Sequence, residues 1–261
     1  MTNPAPRVRP LAVVTGASAG IGRVFAERLA ARGHDLVVVG RDAGRLGALA
    51  ADLAARHGAA VEVLQADLSR DDDIARLADH VAGGPPLAVL VNNAGFGTKG
   101  HLVETPPGPQ AAMVHLHALA PMRVTLAALP GMVARRSGAI VNVSSLAAFV
   151  YSPGNVNYCA TKAYLNVFSE GLAAELAGTG VRVQALCPGF THTEFHERMQ
   201  LDKRSIPGPL WLSADYVVAC SLAALDHGGP VVVVPGLRFK LLRLAVRLAP
   251  RRLLRYAARF R

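Results

Sequence analysis

Short apolar runs alternate along the chain with longer stretches in which apolar positions recur every three or four residues. The runs at 11–15, 36–39, 61–64, 88–91, 139–144, 182–185 and 231–234 are mostly apolar and rich in Val, Leu and Ile. They lack the strict in-out alternation of a half-exposed sheet, which predicts strands buried on both faces. The stretches 21–32, 45–57, 74–81, 110–135, 158–177 and 214–226 carry helical periodicity. Strand and helix in regular alternation predict a doubly wound α/β fold, with a mostly parallel sheet and helices on both faces. No repeat and no long Pro/Gly/Ser linker divides the pattern. It therefore predicts one domain over residues 10–237, between an arm at 1–9 and a tail at 238–261.

Composition adds limits. With 261 residues and 51% hydrophobic content, the chain can bury a large core and is not a disordered polymer. Its net charge of +10 first suggests nucleic acid or an anionic surface. The distribution changes that view. Residues 238–261 hold nine Lys and Arg and no acid, leaving 19 basic against 18 acidic residues in the rest. A nucleic-acid footprint over the body is not expected, and the excess charge is a property of the tail. Cys159, Cys187 and Cys220 are dispersed, which predicts neither disulfide framework nor metal site and fits a reducing, cytoplasmic compartment. The N-terminus shows no secretory h-region, and no uninterrupted apolar run approaches the roughly 18 residues of a span.

Candidate chemistry begins where the first strand ends, at Thr15-Gly16-Ala17-Ser18-Ala19-Gly20-Ile21-Gly22. Glycines there permit a tight turn and close backbone approach, and the following helix offers free N–H groups to a pyrophosphate. The spacing is GxxxGxG rather than GxGxxG. Farther on, Tyr158 and Lys162 are four apart on a predicted helix and share a face. A free phenol titrates near ~10, and a neighbouring ammonium is expected to lower that value and ease proton exchange. Ser145 lies thirteen residues before Tyr158, just past the fifth strand. Ser144 beside it is expected to point the other way.

Taken together, TGASAGIG, Asp67-Leu68, Asn92-Asn93-Ala94-Gly95, Ser145, Tyr158-Cys159-Ala160-Thr161-Lys162 and Pro188-Gly189 resemble the short-chain dehydrogenase/reductase family over roughly residues 10–235. The resemblance implies a Rossmann-type fold and an oxidoreductase moving a hydride between a nicotinamide cofactor and a carbonyl or alcohol. It implies that Gly16, Ser18, Gly20, Ile21 and Gly22 cradle the cofactor, with Asp67 and Leu68 at the adenine. Asn93, Ala94 and Gly95 would lie at the adenosine ribose, and Pro188, Gly189 and Thr193 near the carboxamide. Ser145 would hold the substrate oxygen, Tyr158 would serve as acid or base, and Lys162 would grip the ribose. The position where NAD enzymes carry an acid is Gly40, followed by Arg41. That favours NADP(H) over NAD(H), because guanidinium can fork onto a 2′-phosphate. Arg45 would assist, and Asp42 would cap the next helix.

One departure stands out: His117 occupies the place of a relay asparagine. Either it substitutes in the proton relay, with Ser145, Tyr158 and Lys162, or it only packs near Pro121. A lid at about 190–212, carrying Phe195, Met199, Leu201, Ile206, Leu210 and Trp211, points to a lipophilic small-molecule substrate. Phe96, Phe149, Val150 and Tyr151 would line the same space. Lys99 and His101 would steer an anion or remain solvated, and His192 is expected to be exposed. Family members assemble through helices matching 110–135 and 158–177, which implies a homodimer or homotetramer. In the tail, Arg243, Arg247, Arg251, Arg255 and Arg259 recur every four residues, opposite Leu242, Ala249, Leu253, Tyr256 and Phe260, with a break at Pro250. Such a segment fits either an anionic membrane surface, giving peripheral attachment, or packing on the body or another subunit. The competing functional class is a dinucleotide-binding regulator or scaffold with little turnover.

Overall fold

The computed structural model describes residues 9–199 and 206–249. Seven strands form one parallel sheet in the order β3-β2-β1-β4-β5-β6-β9. They are β1 (Leu11–Thr15), β2 (Asp35–Gly40), β3 (Val61–Gln65), β4 (Leu87–Asn92), β5 (Gly138–Val143), β6 (Val181–Leu186) and β9 (Val232–Val233). A small pair, β7 (Thr191–His192) and β8 (Leu212–Ser213), ties the two ends of the lid. The helices are α1 (Gly20–Ala31), α2 (Ala43–His57), α3 (Asp71–Gly83), α4 (Pro107–Val114), α5 (Ala120–Ala134), α6 (Val156–Glu175), α7 (Phe195–Arg198), α8 (Ala214–Asp226) and α9 (Leu237–Leu248).

The core explains why the strand runs are apolar throughout. Ala12 and Val14 pack with Phe25 and Leu29 of α1, Leu46 of α2 and Val217 of α8. Val13, between them, joins the opposite core with Ile74 of α3, Val124 of α5 and Leu172 of α6. Successive side chains of one strand are buried on opposite faces, so no polar alternation survives. The sheet reverses direction of winding between β1 and β4. That switch point is where ligands lie in open α/β sheets.

The expected helix at 110–135 is corrected to three joined segments. Between α4 and α5, His115–Leu119 form a π turn. Pro121 has no N–H to give the carbonyl of His117 four residues earlier, and a wider turn accommodates that missing donor. The helical run Pro107–Ala134 is long and apolar enough to cross a bilayer by composition. Here it packs against α3 and α6 instead.

Beyond the boundary expected at residue 237, α9 makes contact with the body. Phe239 is 2% exposed, and its ring lies so near Gly189 that a Cβ there would come within 2.5 Å of it. The first turns of the tail therefore belong to the body. Leu242, expected on the apolar face opposite the arginines, is 49% exposed. Pro250, Leu253, Tyr256 and Phe260 lie outside the described residues. At the other end, Arg9 donates to the carbonyls of His57 and His34 at 3.1 and 3.2 Å, tying the chain's entry to α2 and the loop before β2.

Phe239→Ala is expected to lower stability by about 3–5 kcal/mol, read as an earlier midpoint in urea unfolding. A shift below 1 kcal/mol would mean that α9 rests on the surface without being part of the core.

Candidate active site

The glycine turn is pinned to the end of β4. Thr15 Oγ1 donates to the carbonyl of Val91 at 3.3 Å and accepts from the N–H groups of Asn93 and Ala94 at 2.9 and 3.0 Å. Asn93 Nδ2 donates to the carbonyls of Thr15 and Gly16 at 2.9 and 3.2 Å. The side chain of Asn93 therefore braces the turn from behind. Gly16 and Gly20 adopt φ of +66° and +56°, a region that L side chains rarely enter. At Gly22 a Cβ would lie 2.3 Å from the carbonyl oxygen of Gly16, so no other residue fits.

The start of α1 suits an anion. Ala19 at its N-cap makes no side-chain cap, and no acid stands in the first turn. The leading N–H groups are thus left for an outside acceptor. Beside them opens a cleft of about 470 Å³ lined by Ser18, Arg41, Asp42 and Arg45. These residues fit the adenosine end of a dinucleotide. Asp42 caps α2 by accepting from the Arg45 N–H at 2.9 Å. The assisting role expected of Arg45 is qualified, because its guanidinium already pairs with Glu194 at 2.9 Å and with Asp42 at 3.5 Å. Arg41 is exposed and its backbone carbonyl is held by Gln65 at 3.0 Å. Asp67 accepts from the N–H and hydroxyl of Ser69. Burial pushes its carboxyl up, but Ser69 and the charges of Arg41 and Arg70 together hold it below the usual range. Leu68 faces inward, 5% exposed, in the core beneath α3.

Ser145, Tyr158 and Lys162 come together at the ends of β5 and α6. Ser145 Oγ accepts from the Ala147 N–H at 3.1 Å, and the Ser145 hydroxyl acts to lower the pKa of the Tyr158 phenol. Ser144 points inward and donates to the Lys162 carbonyl at 2.8 Å, as strand alternation predicts. Lys162 Nζ donates to the carbonyl of Val143 at 2.8 Å and stands 5.7 Å from the centre of the Tyr158 ring.

In the structure the phenol's pKa lies above its ordinary value, the opposite direction from the lowering expected of this ammonium. Tyr158 keeps some surface open to the cleft, yet dense protein around its hydroxyl pushes it up to about 12, with Ser145 opposing. Burial likewise pulls Lys162 down to about 8. Desolvation is the largest cause for both groups, and the ammonium is directed at the Val143 carbonyl.

His117 is 1% exposed, and both of its ring nitrogens are engaged. Nε2 accepts from the Phe96 N–H at 3.1 Å. Nδ1 lies 3.0 Å from Thr161 Oγ1, whose own proton goes to the Tyr158 carbonyl. Thr161 can then only accept from Nδ1–H, which fixes a neutral ring. Burial, then the charge of Lys162, holds that ring well below the usual histidine range. A direct relay through the imidazole would have to break one of these bonds; as placed, His117 ties the β4 loop to α6. Gly95 permits the approach: a Cβ there would lie 2.9 Å from Nε2 of His117. Thr161 and Glu194 escaped the sequence reading, since nothing marks a threonine or a lid carboxylate as a partner in advance.

Aromatic rings surround the phenol. Phe195 of the lid lies 5.9 Å from Tyr158, and Phe96 lies 6.0 Å from His117. Met199 packs on Gly97, and Thr193 on Gly20, so the lid closes over the loops after β1 and β4. Pro188 accepts from the Leu146 N–H at 3.0 Å, joining the β6 loop to the segment after Ser145. His192 is exposed and stacks on Trp211 at 4.9 Å. Leu201 lies outside the described residues.

Comparison with known proteins follows this geometry. A family model described as short chain dehydrogenase matches residues 10–204. An uncharacterized oxidoreductase, YmfI of Bacillus subtilis, is 37% identical over 183 residues, 70% of this chain and 75% of that protein. The short-chain dehydrogenase from Sphingobium yanoikuyae in complex with NADPH superposes with a TM-score of 0.84 at 38% identity, covering 91% of this chain and 93% of that one. The bulky-bulky ketone specific alcohol dehydrogenase from Comamonas testosteroni gives 0.80 at 33% identity, covering 91% and 92%.

Two outcomes follow from the buried groups. Between about pH 8 and the ordinary lysine value of 10.5, the unfolded chain holds a proton on Lys162 that the folded one releases. Stability from this group therefore rises with pH across that window and its penalty is complete below it. Lys162→Met is expected to gain on the native protein in thermal midpoint at neutral pH, and the gap should close toward pH 10.5. A gap that does not change with pH would place the ammonium in solvent. His117→Ala should cost about 1–3 kcal/mol by orphaning the Phe96 N–H, while the pH–rate profile keeps its shape between about pH 5 and 8. Loss of an ionisation from that profile would restore the relay.

Proposed function

The chain belongs to the short chain dehydrogenase family, and from that premise we propose that it moves a hydride between NADP(H) and a lipophilic carbonyl or alcohol. It is an oxidoreductase of that family. The observation that carries the finer reading is the placing of Ser145 at the end of β5 beside α6, where Lys162 Nζ stands 5.7 Å from the Tyr158 ring and Phe195 packs 5.9 Å from it. When bound, the nicotinamide supplies or takes the hydride.

The protein's own part is orientation and a proton. Ser145 holds the substrate oxygen beside Tyr158. In reduction Tyr158 gives its hydroxyl proton to that oxygen, and in oxidation it takes one back. A phenol held near 12 stays protonated at neutral pH, which suits the acid role in reduction. Lys162 spends one ammonium proton on Val143 and offers others to ribose hydroxyls. Gly16, Ser18, Gly20, Ile21 and Gly22 receive the pyrophosphate, Asp67 and Leu68 the adenine, and Ala94 and Gly95 the adenosine ribose. Pro188, Gly189 and Thr193 meet the carboxamide. Asn93 contributes by holding the turn.

Arg41 supports NADP(H), since it faces the cleft beside Ser18 without an acid at Gly40. Phe195 supports an apolar substrate, because its ring lies 5.9 Å from that of Tyr158. Leu126 on α5 and Val167 on α6 are 58% and 70% exposed, and we read these helices as the face that joins a second copy into a homodimer or homotetramer.

The test is NADPH and NADH oxidation by the purified chain over carbonyls of graded hydrophobic size. NADPH should be preferred and the rate should rise with apolar size. Arg41→Asp should weaken NADPH binding at least about tenfold, the minimum for a lost charge-assisted contact of about 1.5–3 kcal/mol. Tighter NADH binding would overturn the cofactor choice. Cofactor binding without oxidation across the whole panel would favour the regulator.

A further inference from the structure

The packing of α9 is inverted relative to an ordinary surface helix. Its inward side is formed by Phe239, which is buried, with Val246 and Arg243 partly covered. Arg243 lies over the ring of Phe149 at 5.0 Å, in the segment that follows Ser145. On the opposite side stand Leu237, Leu241, Leu244 and Leu248, which are 72%, 57%, 51% and 74% exposed. Their spacing of four, three and four keeps them within about 60° on a helical wheel. They form one apolar stripe aimed away from the protein. Exposed Lys240 and Arg247 border it on one side and exposed Arg238 on the other.

We propose that this leucine stripe is a docking surface for an anionic lipid bilayer. The chemistry of the rim selects the occupant. Residues 238–261 contain nine Lys and Arg and no acid, so every charged residue of α9 itself is cationic. A second copy laid stripe to stripe would bring those cationic borders together. An apolar layer beneath anionic headgroups satisfies both features at once: the leucines enter the acyl boundary and the basic side chains stay at the phosphates. The near-neutral body supplies no competing attraction. Because Phe239 seats α9 on Gly189 and Arg243 seats it on Phe149, the docked helix is rigidly joined to the loops beside Ser145. The bilayer then fixes the orientation of the site, which suits a substrate dissolved in the membrane.

The test is sedimentation of the full chain with large unilamellar vesicles, either pure phosphatidylcholine or phosphatidylcholine containing phosphatidylglycerol. The double variant L241E/L244E places charge on positions already open to water and should keep the native thermal midpoint, which certifies the fold. The native protein should pellet with the anionic vesicles and remain in solution with the neutral ones. The double variant should lose at least about tenfold in vesicle affinity, and K240E/R247E should weaken binding and reduce its sensitivity to salt between about 0.1 and 0.5 M. Failure of the folded native chain to pellet, or equal pelleting of L241E/L244E, would overturn the proposal. So would a native oligomer that ignores vesicles and dissociates on L241E/L244E, since the stripe would then be an interface between copies. None of these readouts uses turnover, so the lipid surface and the proposed reaction can fail separately.

Discussion

Five hydrogen bonds between the end of β1 and the chain leaving β4 govern the rest of the site. The hydroxyl of Thr15 gives one bond and takes two, and the amide of Asn93 gives two more. They hold two parallel strand ends at a separation that excludes any Cβ at Gly16 or Gly22. The cleft for a dinucleotide is what remains on the open side. Strand ends at a topological switch point diverge, because their helices leave for opposite faces. A polar brace is needed there because apolar packing has no side chain left to use.

A second brace lies deeper. Asn92 bonds Asn142 at 2.8 Å, and Asn142 bonds Ser169 of α6 at 3.0 Å. Each buried amide finds a partner, which turns a costly polar interior into a specified register between β4, β5 and α6. On that platform stand Lys162 and Tyr158, neither in its preferred environment. Burial disfavours the ammonium of one and the phenolate of the other.

Most of the fold was legible because parallel strands buried on both faces leave a simple trace. The edges of β1 and α8 are as expected, while α3 starts three residues early at Asp71, where three successive aspartates meet the positive end of the helix. The glycine turn, Ser145, Tyr158 and Lys162 were readable from spacing on known elements. What spacing could not supply was competition. It cannot tell that Arg45 is shared with Glu194, a partner 149 residues away. It places Lys162 near Tyr158 but does not weigh their attraction against burial. In α9, periodicity found an apolar face and a basic one, but not that Phe239 would be seated inward while five leucines face water.

The π turn at His115–Leu119 has a geometric consequence for the long helix. An α-helix advances about 100° per residue, and a turn holding an extra residue resets the angular phase of everything beyond it. The contact faces of α4 and α5 are thereby set independently. Before the turn, Gln110 receives Asn157 and the helix leans on α6; after it, Val124, Ala128 and Met132 face the core shared with α3. One continuous rod serves two neighbours at different azimuths, and His117 sits at the joint where the phase changes.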